Sequence, residues 1–200
     1  MPYANSSGVQ IYYETHGEGS PIVFVHGGGG NTLSWFQQVP HFSKRFRAIT
    51  VDLRGFKNSK CPVDQVHPKY FADDMRAVMD AEKIESASFV CQSLGAWAGL
   101  PLAVRHPERV TCLVLTGSPT PAYSEQNWQV LRESGDRFNS RKDKGVAVSF
   151  LPPAFTRARP EMHFLYDQIR MLNGPFDARL MQDECVRLIR STSPSTGCRR

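Results

Sequence analysis

Short apolar runs alternate with amphipathic stretches up to Gly117, and the pattern then changes. Val9–Glu14, "VQIYYE", reads as a strand followed by a turn at "HGEGS". Pro21–His26, "PIVFVH", is a continuous apolar run that ends in four glycines, the form of a buried strand feeding a loop. Residues Thr32–Phe46 have helical character, and Phe46–Asp52, "FRAITVD", is the next strand. After a polar loop, Phe71, Met75, Val78 and Met79 fall on one face of a helix predicted over Pro68–Glu82. Ser86–Cys91 predicts a strand, Leu94–Arg105 a helix, and Arg109–Gly117, "RVTCLVLTG", another buried strand. This alternation implies crossover units and a mostly parallel sheet. Beyond Pro119 only amphipathic helical stretches follow, near 123–134, 143–150, 160–172 and 177–190, before the polar tail "STSPSTGCRR". The shift places a boundary near residue 120. Residues 1–119 form an α/β core of the three-layer sandwich class, and residues 120–200 a helical cap with an irregular basic tail.

Composition narrows the class. Forty per cent hydrophobic and 22% charged residues in a chain of 200 describe a globular protein with a sizeable core. No apolar run is long enough to span a bilayer, and the N-terminus shows neither a basic start nor an apolar stretch. Five cysteines, an odd number with no C-x-x-C pair, point to a reducing, cytoplasmic setting rather than a disulfide framework. Cys91 and Cys112 lie within predicted strands, where a reduced thiol behaves as a small hydrophobe. No histidines or cysteines fall at ligand spacing, so neither a metal nor a cofactor is expected. The net charge of +5 raises nucleic acid as a partner, but the basic residues are scattered and no recognition motif accompanies them.

The candidate chemistry lies at "VCQSLGAW", Val90–Trp97. A serine between a strand and a small-residue helix start is the arrangement of a nucleophile elbow, a strained turn that projects the hydroxyl from the edge of a sheet. Ser93 is thus the candidate nucleophile, with Cys91 and Gly95 as the small neighbours two positions away on either side. "HGGGGN", His26–Asn31, supplies glycine-rich backbone whose N–H groups can face a developing negative charge. Gly28 and Leu94 are the candidate oxyanion donors, each donor of this kind contributing about 3 kcal/mol to the transition state. A dinucleotide fingerprint fails because Thr32 stands where its last glycine is needed, and a phosphate loop fails for want of G-K-[ST].

Together these stretches resemble the α/β-hydrolase family. "DLRGFKNS", Asp52–Ser59, is similar to the family's D-x-R-G-x-G-x-S loop, with Lys57 replacing a glycine, and "HPERVTCLVL", His106–Leu115, is similar to its helix end and sixth strand. "HGGGGNTLSWFQQVPHF" resembles the oxyanion-loop region of serine hydrolases with a helical cap. The likeness covers roughly residues 8–119 and implies acyl transfer: Ser93 attacks a carbonyl, a histidine takes its proton, and an acid orients that histidine.

The family's acid follows a seventh strand and its histidine an eighth, and neither strand is predicted here. Of the six histidines, His26 belongs to the glycine-rich motif with a structural role, while His16, His41, His67 and His106 fall at turns, loops or surface helices. His163 lies in the cap. The expectation is therefore a C-terminally shortened form, with the acid and histidine of the triad not present and weak or no turnover. Loss of a triad histidine lowers kcat by about a million-fold. Small carboxylic esters or related acyl compounds are the expected substrates. In the cap, Phe155, Met162, Phe164, Leu165, Ile169 and Leu172 are expected mostly to pack helices, a minority lining an acyl pocket. Trp97 is expected to pack its helix against the core. The alternative is a non-catalytic module that binds a ligand or protein between core and cap. In either case the sixth strand is an open sheet edge that invites self-association.

Overall fold

The computed structural model describes residues 2–118, 121–122, 124–143 and 151–174. Six strands, β1 (Tyr3–Ser6), β2 (Val9–His16), β3 (Pro21–Val25), β4 (Arg47–Val51), β5 (Ala87–Gln92) and β6 (Val110–Thr116), form one sheet in the order β1-β2-β4-β3-β5-β6. β2 runs antiparallel to both β1 and β4, whereas β3 pairs in parallel with β4 and β5, and β5 with β6. The expected α/β class with a mostly parallel sheet is what the chain adopts. The hairpin strand β1 has no apolar run to announce it: "YANS" alternates only weakly, burying Ala4 and Ser6.

Alternation along the central strands builds the layers. Val23 and Val25 of β3 join Ile49 and Val51 of β4 in a large cluster under α2 (Phe71–Ala81) and α3 (Ala96–Arg105), with Phe71, Met75, Met79 and Leu102 at its centre. Ile22 and Phe24 point to the opposite face with Ala48, where Trp35, Val39 and Phe42 cover them. The helical stretch expected over Thr32–Phe46 is two pieces, a 3₁₀ turn at Thr32–Trp35 and the short α1 (Gln38–Phe42). Trp97 is buried in the larger cluster.

Two expectations need correcting. The last strand is not buried: Val114 and Leu115 leave 47% and 36% of their surfaces exposed. Cys112 is exposed too, so it does not act as a core hydrophobe. A long apolar run reads as a buried strand only if it has neighbours on both edges, and among the described residues β6 pairs only with β5. The residues expected to pack as a helical cap are also less buried than expected. Among the described side chains of α4 (Glu125–Asp143), α5 (Pro153–Ala158) and α6 (Pro160–Met171), Ile169 is the buried hydrophobic residue, while Phe155, Phe164 and the following Leu172 are exposed. The helices expected near 143–150 and 177–190 lie almost wholly outside the described residues.

Candidate active site

The serine sits where β5 stops. Directly after Gln92 the chain turns through a 3₁₀ segment, Ser93–Gly95, into α3, and Ser93 adopts φ +48°. A non-glycine residue in that left-handed region is strained by about 1–3 kcal/mol and persists only where its surroundings impose it. The imposing contact is a close helix–strand crossing. A Cβ on Gly95 would run into the backbone carbonyl of Val25, so glycine is what allows α3 to start against the end of β3. Farther along, a Cβ on Gly99 would approach Leu113 Cδ1 to 2.9 Å, so the helix also lies tight on β6. Cys91 is buried two residues before the serine, and desolvation pushes its thiol up to about 12, so it is a packing group and not a rival nucleophile.

The glycine-rich loop lies beside this turn. A Cβ on Gly27 would come within 3.0 Å of Ser93 Cβ, which places the loop backbone against the serine. Nothing lies within 4 Å of a Cβ built on Gly28, so the loop opens to free space there. Gly29 takes φ +83°, and Gly30 N–H donates to Gly27 O at 3.0 Å, closing the turn.

His26 anchors the loop from below. Its Nε2 accepts from Leu53 N–H at 3.0 Å, so Nδ1 carries the proton and donates to Gly27 O at 2.7 Å. Burial lowers its pKa to about 4, keeping the ring neutral and structural, as the sequence suggested. Asp52 anchors the far end: its Oδ1 accepts Thr32 N–H at 2.7 Å and its Oδ2 accepts Asn58 N–H at 3.2 Å. Desolvation raises the Asp52 pKa, opposed by those amides and by Lys57.

Sequence reading missed the contact between the end of α6 and the glycine-rich loop. Asn31 caps the 3₁₀ turn, its side chain accepting Leu33 N–H, while its Nδ2 donates to Ile169 O at 2.8 Å. Asn173 Nδ2 in turn donates to Gly29 O at 2.8 Å. The end of α6 is thereby hydrogen-bonded onto the glycine-rich loop. Asn31 after a glycine run is legible as a cap, but its second partner, 138 residues away, is not.

Each histidine among the described residues has partners away from Ser93. His16 faces Glu14 at 3.4 Å, His41 meets the Phe42 ring edge-on at 5.2 Å, and His67 Nδ1 accepts Lys69 N–H at 3.0 Å. His106 lies 3.3 Å from Arg76, and His163 lies 3.3 Å from Asp167 within α6.

The mostly parallel sheet with its flanking helices has its counterpart in known proteins. The sequence profile of the alpha/beta hydrolase fold matches residues 20–142. The chain belongs to the alpha/beta hydrolase fold family. Among its relatives is the 2-hydroxymuconate semialdehyde hydrolase of Pseudomonas sp. (strain CF600), 37% identical over 117 residues, covering 56% of this chain and 41% of that protein. Another is the 2-hydroxy-6-oxo-6-(2'-aminophenyl)hexa-2,4-dienoic acid hydrolase of Metapseudomonas resinovorans, 32% identical over 123 residues, covering 58% and 41% of the two chains. The solved structure of Est816, described as an N-acyl homoserine lactone degrading enzyme, superposes with a TM-score of 0.67 at 26% identity, over 94% of this chain and 70% of that one. The chain thus spans about two fifths of the length of these two curated relatives.

Proposed function

We propose that this alpha/beta hydrolase chain carries the nucleophile half of a serine-hydrolase site. In this reading Ser93 attacks the carbonyl of a small carboxylic ester or related acyl compound, and the N–H groups of Gly28 and Leu94 receive the oxyanion. The observation that carries the reading is Ser93 itself, held at φ +48° at the C-terminal end of a central parallel strand with Gly27 against its Cβ. Such strain is retained where a side chain must be presented rather than packed. The names of the relatives, hydrolases acting on a semialdehyde and on a dienoic acid, favour carbonyl chemistry over a purely structural role.

The general base and its acid are not assigned to any residue of this chain. The engagement of the described histidines elsewhere supports that reading, as does the absence of a carboxylate between Gly117 and Glu125. Turnover by residues 1–200 is then expected to be slow, carried by positioning and oxyanion stabilisation alone. We also place the cap in residues 120–200 and the core in 1–119, with the acyl pocket between them.

A fluorophosphonate probe tests the assignment. Covalent labelling that maps to Ser93 by peptide mass spectrometry and disappears in Ser93→Ala is expected. No labelling of the folded chain, alongside tight binding of a small acyl ligand, refutes the nucleophile and favours a binding module instead. Hydrolysis of p-nitrophenyl acetate within tenfold of an ordinary esterase would show that a base is present after all.

A further inference from the structure

Lys57 keeps a glycine-type backbone although it is not glycine: its φ is +37°. A side chain in that region is strained and needs an offsetting interaction. The ammonium supplies one. Lys57 Nζ donates to Thr32 Oγ1 at 2.9 Å and lies 5.7 Å from the centre of the Tyr12 ring. Thr32 is held a second time through its backbone, whose N–H donates to Asp52 Oδ1 at 2.7 Å. This residue follows Asn31 and closes the glycine-rich loop, and it is buried. One cation and one carboxylate therefore grip the same residue, from its side chain and from its main chain, at the end of the loop that abuts Ser93.

We propose that Lys57 is a positioning residue: acting through Thr32 and the Asp52 carboxylate, it fixes the glycine-rich loop in the form that receives an oxyanion. This rests on the function proposed for Ser93, and its test is arranged so that the two fail separately. The groups that face Asp52 are few. They are the Lys57 ammonium, the amides of Thr32 and Asn58, the Thr32 hydroxyl and the Tyr12 phenol, whose own pKa is raised to about 12 by burial first and then by Glu14. Among these Lys57 is the cation. Removing it leaves the buried carboxylate without its countercharge, and protonation of Asp52 then weakens the grip on the Thr32 amide.

The experiment uses the full chain and three variants, Lys57→Met, Lys57→Arg and Lys57→Gly, with two readouts. The first is the second-order rate of fluorophosphonate labelling at Ser93, and the second is the acid titration of the Thr32 amide followed by NMR. Lys57→Met is expected to label about tenfold more slowly, the scale of a modest misplacement of reacting groups. Its Thr32 midpoint should move to higher pH, and Lys57→Arg should restore both. Lys57→Gly, freed of backbone strain, should melt no lower than the parent yet label as slowly as Lys57→Met. A purely structural lysine does not produce that combination. A Lys57→Met midpoint equal to the parent's overturns the inference, as does an unchanged labelling rate. If the parent is not labelled, the nucleophile assignment falls, and the amide titration still decides whether Lys57 holds Thr32 through Asp52.

Discussion

His26 is the residue whose chemistry most clearly differs between folded and unfolded chains. In the fold it is fully buried, and burial lowers its pKa from 6.5 to about 4. Between those two values the unfolded chain binds a proton that the folded chain refuses, so stability rises with pH. The His26 contribution is complete above the unfolded value and is lost as pH falls toward the folded one, amounting to about 3 kcal/mol. Asp52 and Asp74, both raised mainly by desolvation, work in the opposite sense just above the ordinary carboxylate range. Urea unfolding at a series of pH values is expected to give a falling stability from pH 6.5 to 4 that His26→Gln flattens. If that variant does not fold, NMR titration of the imidazole in the parent decides the point, and a ring that protonates near 6.5 rejects it. Ser93 shows what sequence does offer at this scale: a serine at a strained strand-to-helix turn was legible, and the contacts of Gly27 and Gly95 that hold it at φ +48° were not.

At the scale of elements, the decisive contact is the crossing of α3 over β3. Small residues at Gly95 and Gly99 bring the helix down onto Val25, Cys91 and Leu113, and this proximity forces the turn at Ser93. Gly95→Ala is expected to destabilise the chain by about 2 kcal/mol, since the new methyl meets backbone that has no room to give. It should also slow labelling at Ser93; thermal melts and probe kinetics on one preparation measure both, and a variant unchanged in both would remove the crossing from the account. A buried ion pair joins other elements. Arg54 Nε and Nη2 reach Asp74 of α2 at 3.0 and 2.5 Å, and Nη2 also donates to Ser6 O of β1 at 3.2 Å. The loop after β4 is thereby tied to a helix and an edge strand together. Its motif was visible in "DLRG", but the partners lie 20 and 48 positions away, beyond any local pattern.

At the scale of the whole molecule, the two edges that the sheet shows among the described residues differ. β1 is four residues long and is backed by α2, which leaves little template for pairing. β6 is seven residues long, "VTCLVLT", and holds neither charge nor proline. Natural edges are usually blunted by such groups. We predict that the chain self-associates through β6, antiparallel pairing of two copies giving a closed two-fold dimer because the β1 edge is poor at extending it. Sedimentation velocity over a hundredfold range of concentration is expected to show a dimer that Leu115→Lys shifts to monomer. A parent that stays monomeric throughout, or a Lys variant that dimerises equally, contradicts it. No helix among the described residues is long and apolar enough to cross a membrane.

Periodicity and local chemistry determined much of this protein without coordinates. The strand–helix alternation, the parallel sheet, the nucleophile candidate and the structural role of His26 all follow from neighbours within a few positions, where sequence spacing and spatial spacing coincide. Burial of β6, the docking of α6 on the glycine-rich loop and the grip of Lys57 on Thr32 depend on which distant segments meet. Those outcomes are set by the packing of the whole chain, because exposure and hydrogen bonding belong to pairs of surfaces, and one surface alone does not specify its partner.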